Sequence, residues 1–274
     1  IFFSSAFFVM STCVPCARNN TGLPSGTSSS ESTTFAPTLS KSSTTVFIYC
    51  CPKSDSSSLY QSFKDTGYTT YHTHSLEYYN KYHFPELGDF NKLIDSKQKN
   101  TIVFIDSYRT PIERSISCFF EDIMGYFPNK EYLNMSVDEL IEYYENNKIY
   151  NKENYHSINE ILTNYNLPLF DTFNFETGYN KLEYENKIFI KILFKDINTW
   201  SNIFKNIFLS EIPIQSINIT KNKDKIGDLY QQFIQKYKPS KLYFENDILN
   251  NKEFKIYNTL HDQELYKTKW LKKE

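Results

Sequence analysis

The chain has 274 residues, of which 40% are hydrophobic and 17% aromatic, so it can form a sizeable core, which argues against a largely disordered protein. Its 30 basic and 32 acidic residues give a formal net charge of −2, which does not indicate a nucleic-acid-binding surface. No stretch contains the ~18 to 20 consecutive apolar residues of a membrane-spanning helix, so we expect no transmembrane span.

The first 44 residues differ in composition from the rest of the chain. Residues 11–43 are rich in Ser, Thr, Pro and Gly, so we expect residues 1–44 to be a disordered tail. Its apolar opening, residues 1–10, is compatible with the remnant of a signal or anchor segment, or with untranslated sequence ahead of Met10. The 5 cysteines contain a single C-x-x-C motif, which argues against a zinc site. Their odd number favours a reducing compartment, the cytoplasm, with the secretory lumen as the alternative.

From Thr45 onward, buried strands are predicted to alternate with helices. The segments are, in chain order, a strand in TVFIYCC (45–51), a helix in LYQSFKDTG (59–67), a strand in YTTYHTH (68–74), a helix at 86–96, a strand in TIVFID (101–106) and a helix at 111–124. Strands that alternate with helices in this way predict βαβ units, a parallel sheet and right-handed connections.

The second half is predicted to be mainly helical. The segments are helices at 136–147 and 155–165, a strand in NKIFIKILF (186–194), a helix at 197–208 and a further strand in SINIT (216–220). Ser136 and Glu139 have the spacing of a capping box. We therefore expect residues 45–274 to form one α/β domain with three layers, in which helices cover both faces of a mostly parallel sheet.

The loop after the first strand has the features of an anion site. The sequence CCPKSDSSSLYQSF (50–63) passes from a strand into a helix, and the amide groups and dipole at a helix N-terminus attract anions. Lys53 supplies a mobile cation, and Ser54, Ser56, Ser57 and Ser58 supply hydroxyl groups. The alternative is a serine-rich turn that only caps a helix. A Walker loop would place glycines before its lysine, and that motif is absent.

A second candidate anion site follows the third strand, in YRTPIERSISCFFEDI (108–123). Arg109 leaves the strand and Ser117 lies further along the helix, and a guanidinium with a hydroxyl suits a phosphate monoester. Ligands of open α/β sheets bind at the carboxyl edge, where the loop and Arg109 should both lie. The structural alternative is that Arg109 pairs with Asp106 or Glu113 and that Ser117 is simply small.

The two motifs together resemble those of sulfotransferases that use PAPS, 3′-phosphoadenylyl sulfate. PKSDSS is similar to the PKSGTT-type loop that binds the 5′-phosphosulfate, and R-x-P-x-x-R-x-x-S is similar to the 3′-phosphate motif of that family. YHTHSL, ISCFFEDI and FDTFNFETGYN look most like the capsular-polysaccharide-synthesis type of sulfotransferase-like protein. The resemblance covers most of residues 45–270 and is specific in the two motifs.

The resemblance implies a P-loop-type, sulfotransferase-like fold. It also implies transfer of a sulfuryl group from PAPS, without a metal, to a hydroxyl of a carbohydrate acceptor such as a polysaccharide or glycolipid. Lys53 and the loop serines would bind the 5′-phosphosulfate, and Lys53 would also serve the leaving group. Arg109 and Ser117 would bind the 3′-phosphate, with Arg114 as a helper.

The predicted base is His74, which follows the second strand and belongs to the residue type that titrates near neutral pH. His72 is the alternative, because its position two residues earlier puts it on the same side of the strand. Glu77 and Glu121 are weaker candidates, since carboxylates on exposed helix faces are usually solvated.

Two other functions are compatible with the sequence. A P-loop small-molecule kinase would use Asp106, at the end of the third strand, to bind its metal. A non-catalytic protein of the same fold is suggested by Asp55, which stands where the sulfotransferases have glycine. A carboxylate repels a phosphate, and a Cβ crowds a tight turn.

Overall fold

The sheet lies at the centre of the structure, a computed structural model that describes residues 39–76, 79, 89–151, 157–215 and 224–271. Its strands are β1 (Thr44–Tyr49), β2 (Thr69–Thr73), β3 (Thr101–Tyr108), β4 (Tyr179–Tyr184) and β5 (Lys187–Leu193), in the order β2-β1-β3-β5-β4. All neighbours are parallel except β4, which pairs with β5 antiparallel. The prediction of an α/β fold with a mostly parallel sheet is therefore confirmed.

Helices account for most of the remaining described residues. The α-helices are α1 (Ser56–Asp65), α2 (Phe90–Ser96), α3 (Pro111–Glu121), α4 (Ile123–Tyr126), α5 (Val137–Asn146), α6 (Ile158–Asn164), α7 (Trp200–Phe208), α8 (Asp224–Lys236), α9 (Lys241–Tyr243), α10 (Lys252–Tyr257) and α11 (Leu260–Trp270). Short 3₁₀-helices span Glu131–Leu133, Ile149–Asn151 and Phe194–Thr199, and a π-helix spans Phe244–Leu249. Among the described residues, none of these helices combines the length and apolarity needed to cross a membrane.

Several predicted boundaries shift in the structure. The helix predicted at 111–124 is divided into α3 and α4, and a 3₁₀-helix occupies the start of the one predicted at 197–208. The capping box of Ser136 and Glu139 is confirmed. The strand predicted at 216–220 lies outside the described residues, as does nearly all of the predicted tail. The described chain begins at Leu39, which is buried against the sheet.

Strands β1, β3 and β5 are continuous β-branched and aromatic runs because both faces of the sheet are covered. Along β1, Val46 and Ile48 face one way and pack with α1 and α7, whereas Phe47 and Tyr49 face the other way and pack with α2 and α6. This alternation is the two-residue period of a strand. It gives the domain one helical layer on each face of the sheet.

The order of the strands places a topological switch point at the carboxyl edge, where a ligand crevice is expected. Strand β1 lies between β2 and β3, so the connection after β1 leads to one side of it and the connection after β2 crosses to the other. Connections that diverge in this way leave a gap outside the strand ends, and ligands of open α/β sheets bind there. The loop after β1 and the residues after β3 both reach this gap.

The C-terminal helices form a second, aromatic-rich core with α3 and α5, around Phe119, Tyr144 and Phe233. The Glu113 carboxylate ties this region to the start of α3. It accepts hydrogen bonds from the Tyr266 hydroxyl at 2.7 Å and the Lys269 ammonium at 2.6 Å. These contacts fix the helix that directly follows Arg109.

Candidate functional site

The loop between β1 and α1 is built from two residues in the left-handed backbone region. Lys53 has a φ of 62° and Asp55 a φ of 67°, a conformation that most side chains disfavour and that glycine, and to a lesser extent Asp and Asn, adopts. Asp55 stands at the position where the resembling family has glycine. The observed backbone gives a physical reason for glycine there.

Two serines of the loop hold it in shape. The buried Ser54 hydroxyl donates to the Cys51 carbonyl at 2.6 Å, and the Ser58 hydroxyl donates to Asp55 Oδ1 at 2.7 Å. Ser56 is also buried, whereas Ser57 is partly exposed. Of the four loop serines predicted to bind the 5′-phosphosulfate, Ser57 is therefore the most accessible to a ligand.

Asp55 is the N-cap residue of α1 by position, but its side chain makes no hydrogen bond to the amide groups of the first turn. Its Oδ2 atom is buried and has no hydrogen-bond partner among the described residues. Burial raises the pKa of Asp55, and Ser58, Arg109 and Lys53 each partly offset that rise. The first-turn amides thus remain without a side-chain cap from Asp55, next to a carboxylate that is poorly solvated.

We expect Asp55→Asn to increase stability at neutral pH but not in acid. A carboxyl group with a raised folded-state pKa destabilises the fold once pH exceeds its unfolded value of about 3.9, because the unfolded chain releases the proton more readily. The gain should therefore grow as pH rises from about 3.9 and level off above the folded pKa. Urea unfolding at a series of pH values measures it. The exposed Asp171→Asn is the control, and an equal gain at every pH would contradict the explanation.

Lys53 is bound by the end of α3. Its ammonium lies 2.9 Å from Glu121 Oε2, and the two side chains are 13% and 35% exposed. The neighbouring Asp122 has a raised pKa, first because of burial and then because of Glu121, while Lys53 lowers it. The lysine predicted to serve the leaving group therefore has to exchange a carboxylate partner to reach a ligand.

Arg109 joins the two predicted motifs. Its Nη1 donates to the Lys53 carbonyl at 2.7 Å, its Nη2 lies 3.4 Å from the Tyr230 hydroxyl, and its guanidinium stacks 4.6 Å from the centre of the Phe194 ring. Its Nε is buried without a hydrogen-bond partner among the described residues. The guanidinium is held beside the loop, and its buried Nε is a donor that none of the described residues uses.

The structural alternative for Arg109 is wrong as stated, because its suggested partners are engaged elsewhere. Asp106 pairs with Lys191, and Glu113 pairs with the C-terminal helix. The kinase alternative loses support from the same observation. Asp106, which motivated it, is 1% exposed and bound to a lysine.

Ser117 and Arg114 lie on the buried side of α3, where they are 2% and 6% exposed. None of the contacts described for Ser117 joins it to Arg109 or to the loop after β1. The roles of Ser117 as a 3′-phosphate ligand and of Arg114 as a helper stay predictions, and they require α3 to expose these side chains.

The two histidines contact each other beside the loop. Their ring centres are 4.8 Å apart and nearly perpendicular, and His72 also stacks on Tyr60. His74 Nδ1 lies 2.8 Å from the Cys50 carbonyl. Because a carbonyl only accepts, Nδ1 must carry the proton, which makes Nε2 the basic nitrogen of the neutral ring. Glu77, the other candidate near this strand, lies outside the described residues.

A buried ion pair beneath the site was not predicted. Lys191 Nζ lies 2.6 Å from Asp106 Oδ2, with the two side chains 0% and 1% exposed, and the Ile158 amide donates to the same oxygen at 2.9 Å. Burial lowers the pKa of Lys191, but Asp106, then Tyr257 and Glu253, outweigh it, so the pKa is raised. A lysine inside a strand that is buried on both faces could have indicated this pair from the sequence, because such a charge has to be paired.

A cavity of about 490 Å³ opens between α2 and α6, on the face of the sheet opposite to α1, on whose Tyr60 the His72 ring stacks. Its lining combines apolar side chains with amide and carboxylate groups and consists of Leu76, Phe90, Asn91, Ile94, Asp95, Ile161, Asn164 and Tyr165. Its volume lies in the range of about 300 to 1,000 Å³ that is usual for small-molecule sites. Leu76 is two residues beyond His74 in the chain, and it is the lining residue nearest in sequence to the candidate base.

Within the ranges that the structure describes, no group of three or more His, Cys, Asp or Glu side chains could hold a metal ion. No protein-family model, curated protein or solved structure matches the chain. Its function must therefore be inferred from its own residues.

Proposed function

We propose that the protein is a sulfotransferase that uses PAPS as donor and a carbohydrate hydroxyl as acceptor, within a P-loop-type, sulfotransferase-like fold. The observation that carries the proposal is the 2.7 Å hydrogen bond from Arg109 to the Lys53 carbonyl. It joins the two motifs that resemble phosphate sites at the crevice where α/β folds bind ligands. Each motif alone is a weaker signal than the pair in contact.

The residues available suit a donor with two separate anionic groups. The first-turn amides of α1, with Ser57 and Lys53, would bind the phosphosulfate end, because a helix N-terminus favours anions. Arg109 would bind the 3′-phosphate with the fork geometry of its guanidinium. Tyr230 and Phe194 hold that guanidinium at the crevice.

PAPS would supply an activated sulfuryl group whose bond to the 5′-phosphate breaks as the acceptor oxygen bonds to sulfur. Lys53 would stabilise the electron pair that leaves with the phosphate oxygen. His74 Nε2 would take the acceptor's proton, which its Nδ1 bond to Cys50 prepares it to do. The cavity that begins at Leu76 would hold the acceptor, since sugars bind to aromatic rings and planar amides such as those of Tyr165 and Asn91.

A non-catalytic binding protein of the same fold is the second candidate. The observation that favours it is the acidic surrounding of Lys53, which contacts Glu121 and lies near Asp55 and Asp122. These three carboxylates lie close to the two cations, Lys53 and Arg109, and weaken their attraction for a donor with several negative charges. Such a protein would bind an anion weakly and transfer nothing.

Incubation with PAPS and a panel of mono- and oligosaccharides, followed by chromatographic detection of PAP, the desulfated donor, tests the proposal. Acceptor-dependent PAP release that is lost in His74→Ala supports transfer. If the protein binds PAP but releases none from PAPS with any acceptor, the non-catalytic candidate replaces it.

We expect Glu121→Gln to raise the affinity for PAP by about two- to fivefold, because the partly exposed pair that it breaks is worth at most about 1 kcal/mol. The substitution keeps the size of the side chain but releases the Lys53 ammonium for the ligand. Calorimetric titration measures the change, with Glu142→Gln on the exposed face of α5 as the control. Weaker binding in Glu121→Gln would mean that Glu121 orients Lys53 instead of competing with the ligand.

A further inference from the structure

We infer that Tyr49 and Glu160 are positioning residues that hold His74 in the tautomer required of a base. The inference rests on the proposed function for the role of His74, but its geometry stands apart from the donor site. Tyr49 is the last residue of β1 and is 0% exposed, and Glu160 lies in the first turn of α6. Neither residue was singled out by its sequence.

The Tyr49 hydroxyl connects two elements. It donates to Glu160 Oε2 and accepts a hydrogen bond from the Leu76 amide at 3.2 Å. A hydroxyl has one proton and can rotate. The carboxylate fixes that proton toward α6, so the oxygen lone pairs are left facing Leu76.

The chain around His74 is thereby held to the end of β1 at several points. The Leu76 amide bonds to Tyr49, His74 Nδ1 to the Cys50 carbonyl at 2.8 Å, and the Cys50 amide to the Thr73 carbonyl at 3.3 Å. Tyr49 and Cys50 are adjacent, so the end of β1 and the residue that follows it orient both the backbone and the ring. If the Leu76 contact is lost, the segment can move and the ring can leave Cys50.

The support for Glu160 continues into the core. The Ile158 amide, at the start of α6, donates to Asp106 Oδ2 at 2.9 Å, and Lys191 bonds to the same oxygen. The buried ion pair therefore fixes the helix that carries Glu160. Burial, and then the bond to Glu160, raise the pKa of Tyr49, so its hydroxyl stays a donor at neutral pH.

The tautomer of His74 can be read by long-range ¹H–¹⁵N NMR on protein labelled at histidine, with His74→Asn to assign the signal. We expect the Nδ1–H form in the natural protein at neutral pH. In Tyr49→Phe and Glu160→Ala its population should fall by about half or more, because the ring is no longer held at Cys50. Glu160→Gln should keep it, since the amide oxygen still accepts from Tyr49.

The matched control is Tyr237→Phe. Tyr237 is also 0% exposed and also donates to a glutamate, Glu145 Oε1 at 2.5 Å, but in the aromatic C-terminal core. An unchanged tautomer in both Tyr49→Phe and Glu160→Ala would overturn the inference, as would an equal change in Tyr237→Phe. If Tyr49→Phe fails to fold, the comparison of Glu160→Ala with Glu160→Gln decides. No donor is present, so failure to bind PAP would refute the proposed function without altering this result.

Discussion

Arg109→Ala is expected to lower the affinity for PAP by about 100-fold. A charge-assisted hydrogen bond contributes about 1.5 to 3 kcal/mol, and each 1.4 kcal/mol is a factor of about 10 in the dissociation constant. In the unliganded protein, Lys53, Tyr230 and Phe194 already fix the guanidinium. Little entropy should therefore be lost when it binds a phosphate.

AMP, which lacks the 3′-phosphate, makes this experiment specific. The Arg109→Ala variant should bind PAP about as weakly as it binds AMP, because Arg109 recognises the 3′-phosphate by which the two nucleotides differ. Lys53→Ala should weaken both nucleotides alike, and Arg109→Lys should recover only part of the affinity, because an ammonium lacks the planar fork. Lys205→Ala, on an exposed pair with Glu211, is the surface control. PAP binding of natural strength in a folded Arg109→Ala variant would rule out Arg109 as the 3′-phosphate ligand.

Lys191→Met is expected to reduce the free energy of unfolding by about 3 to 5 kcal/mol, the usual cost of removing one partner of a buried ion pair. The substitution leaves the Asp106 carboxylate at 1% exposure with the Ile158 amide as its described donor. Methionine fills a similar volume, so the loss reports charge more than packing. Urea unfolding followed by circular dichroism measures it.

The controls for this prediction are a double variant and a surface pair. Lys191→Met with Asp106→Leu removes both charges and should recover much of the lost stability. Lys205→Met breaks the exposed pair with Glu211 and should change the free energy of unfolding little, because solvent screens such a pair. Since the pKa of Lys191 is raised, the stabilisation should be present throughout the neutral range and be lost only in strong alkali. A loss below about 1 kcal/mol in Lys191→Met would contradict a tightly coupled buried pair.

The central sheet could be predicted because three of its strands have a sequence pattern that is typical of buried strands. β1, β3 and β5 are unbroken β-branched and aromatic runs, and such runs indicate strands covered on both faces. β4 was missed because it is a half-exposed edge strand in which Leu182 alternates with Lys181 and Glu183. Its turn into β5 also places Glu185 at a φ of 52°, where a glycine or asparagine would have marked a hairpin.

The position of the candidate residues at one edge of the sheet could be predicted, whereas the residues that contact them could not. Lys53, His74 and Arg109 each follow a strand, and the carboxyl ends of parallel strands share one edge of the sheet. Glu121 and Tyr230 reach the site from distant helices, so sequence spacing gives no sign of them. The left-handed φ of Asp55 is likewise visible only in the backbone.

The most direct test of the proposed donor site is calorimetric titration of the natural protein with PAP, with AMP and ATP as comparisons and Asp55→Gly as a second protein. Glycine suits the left-handed backbone at position 55 and removes a carboxylate from the site. We predict that the natural protein binds one PAP saturably. PAP should bind more tightly than AMP by about tenfold or more, since a charge-assisted contact to the 3′-phosphate is added. The Asp55→Gly protein should bind PAP more tightly still. Absence of PAP binding by both folded proteins would contradict a PAPS site at this crevice.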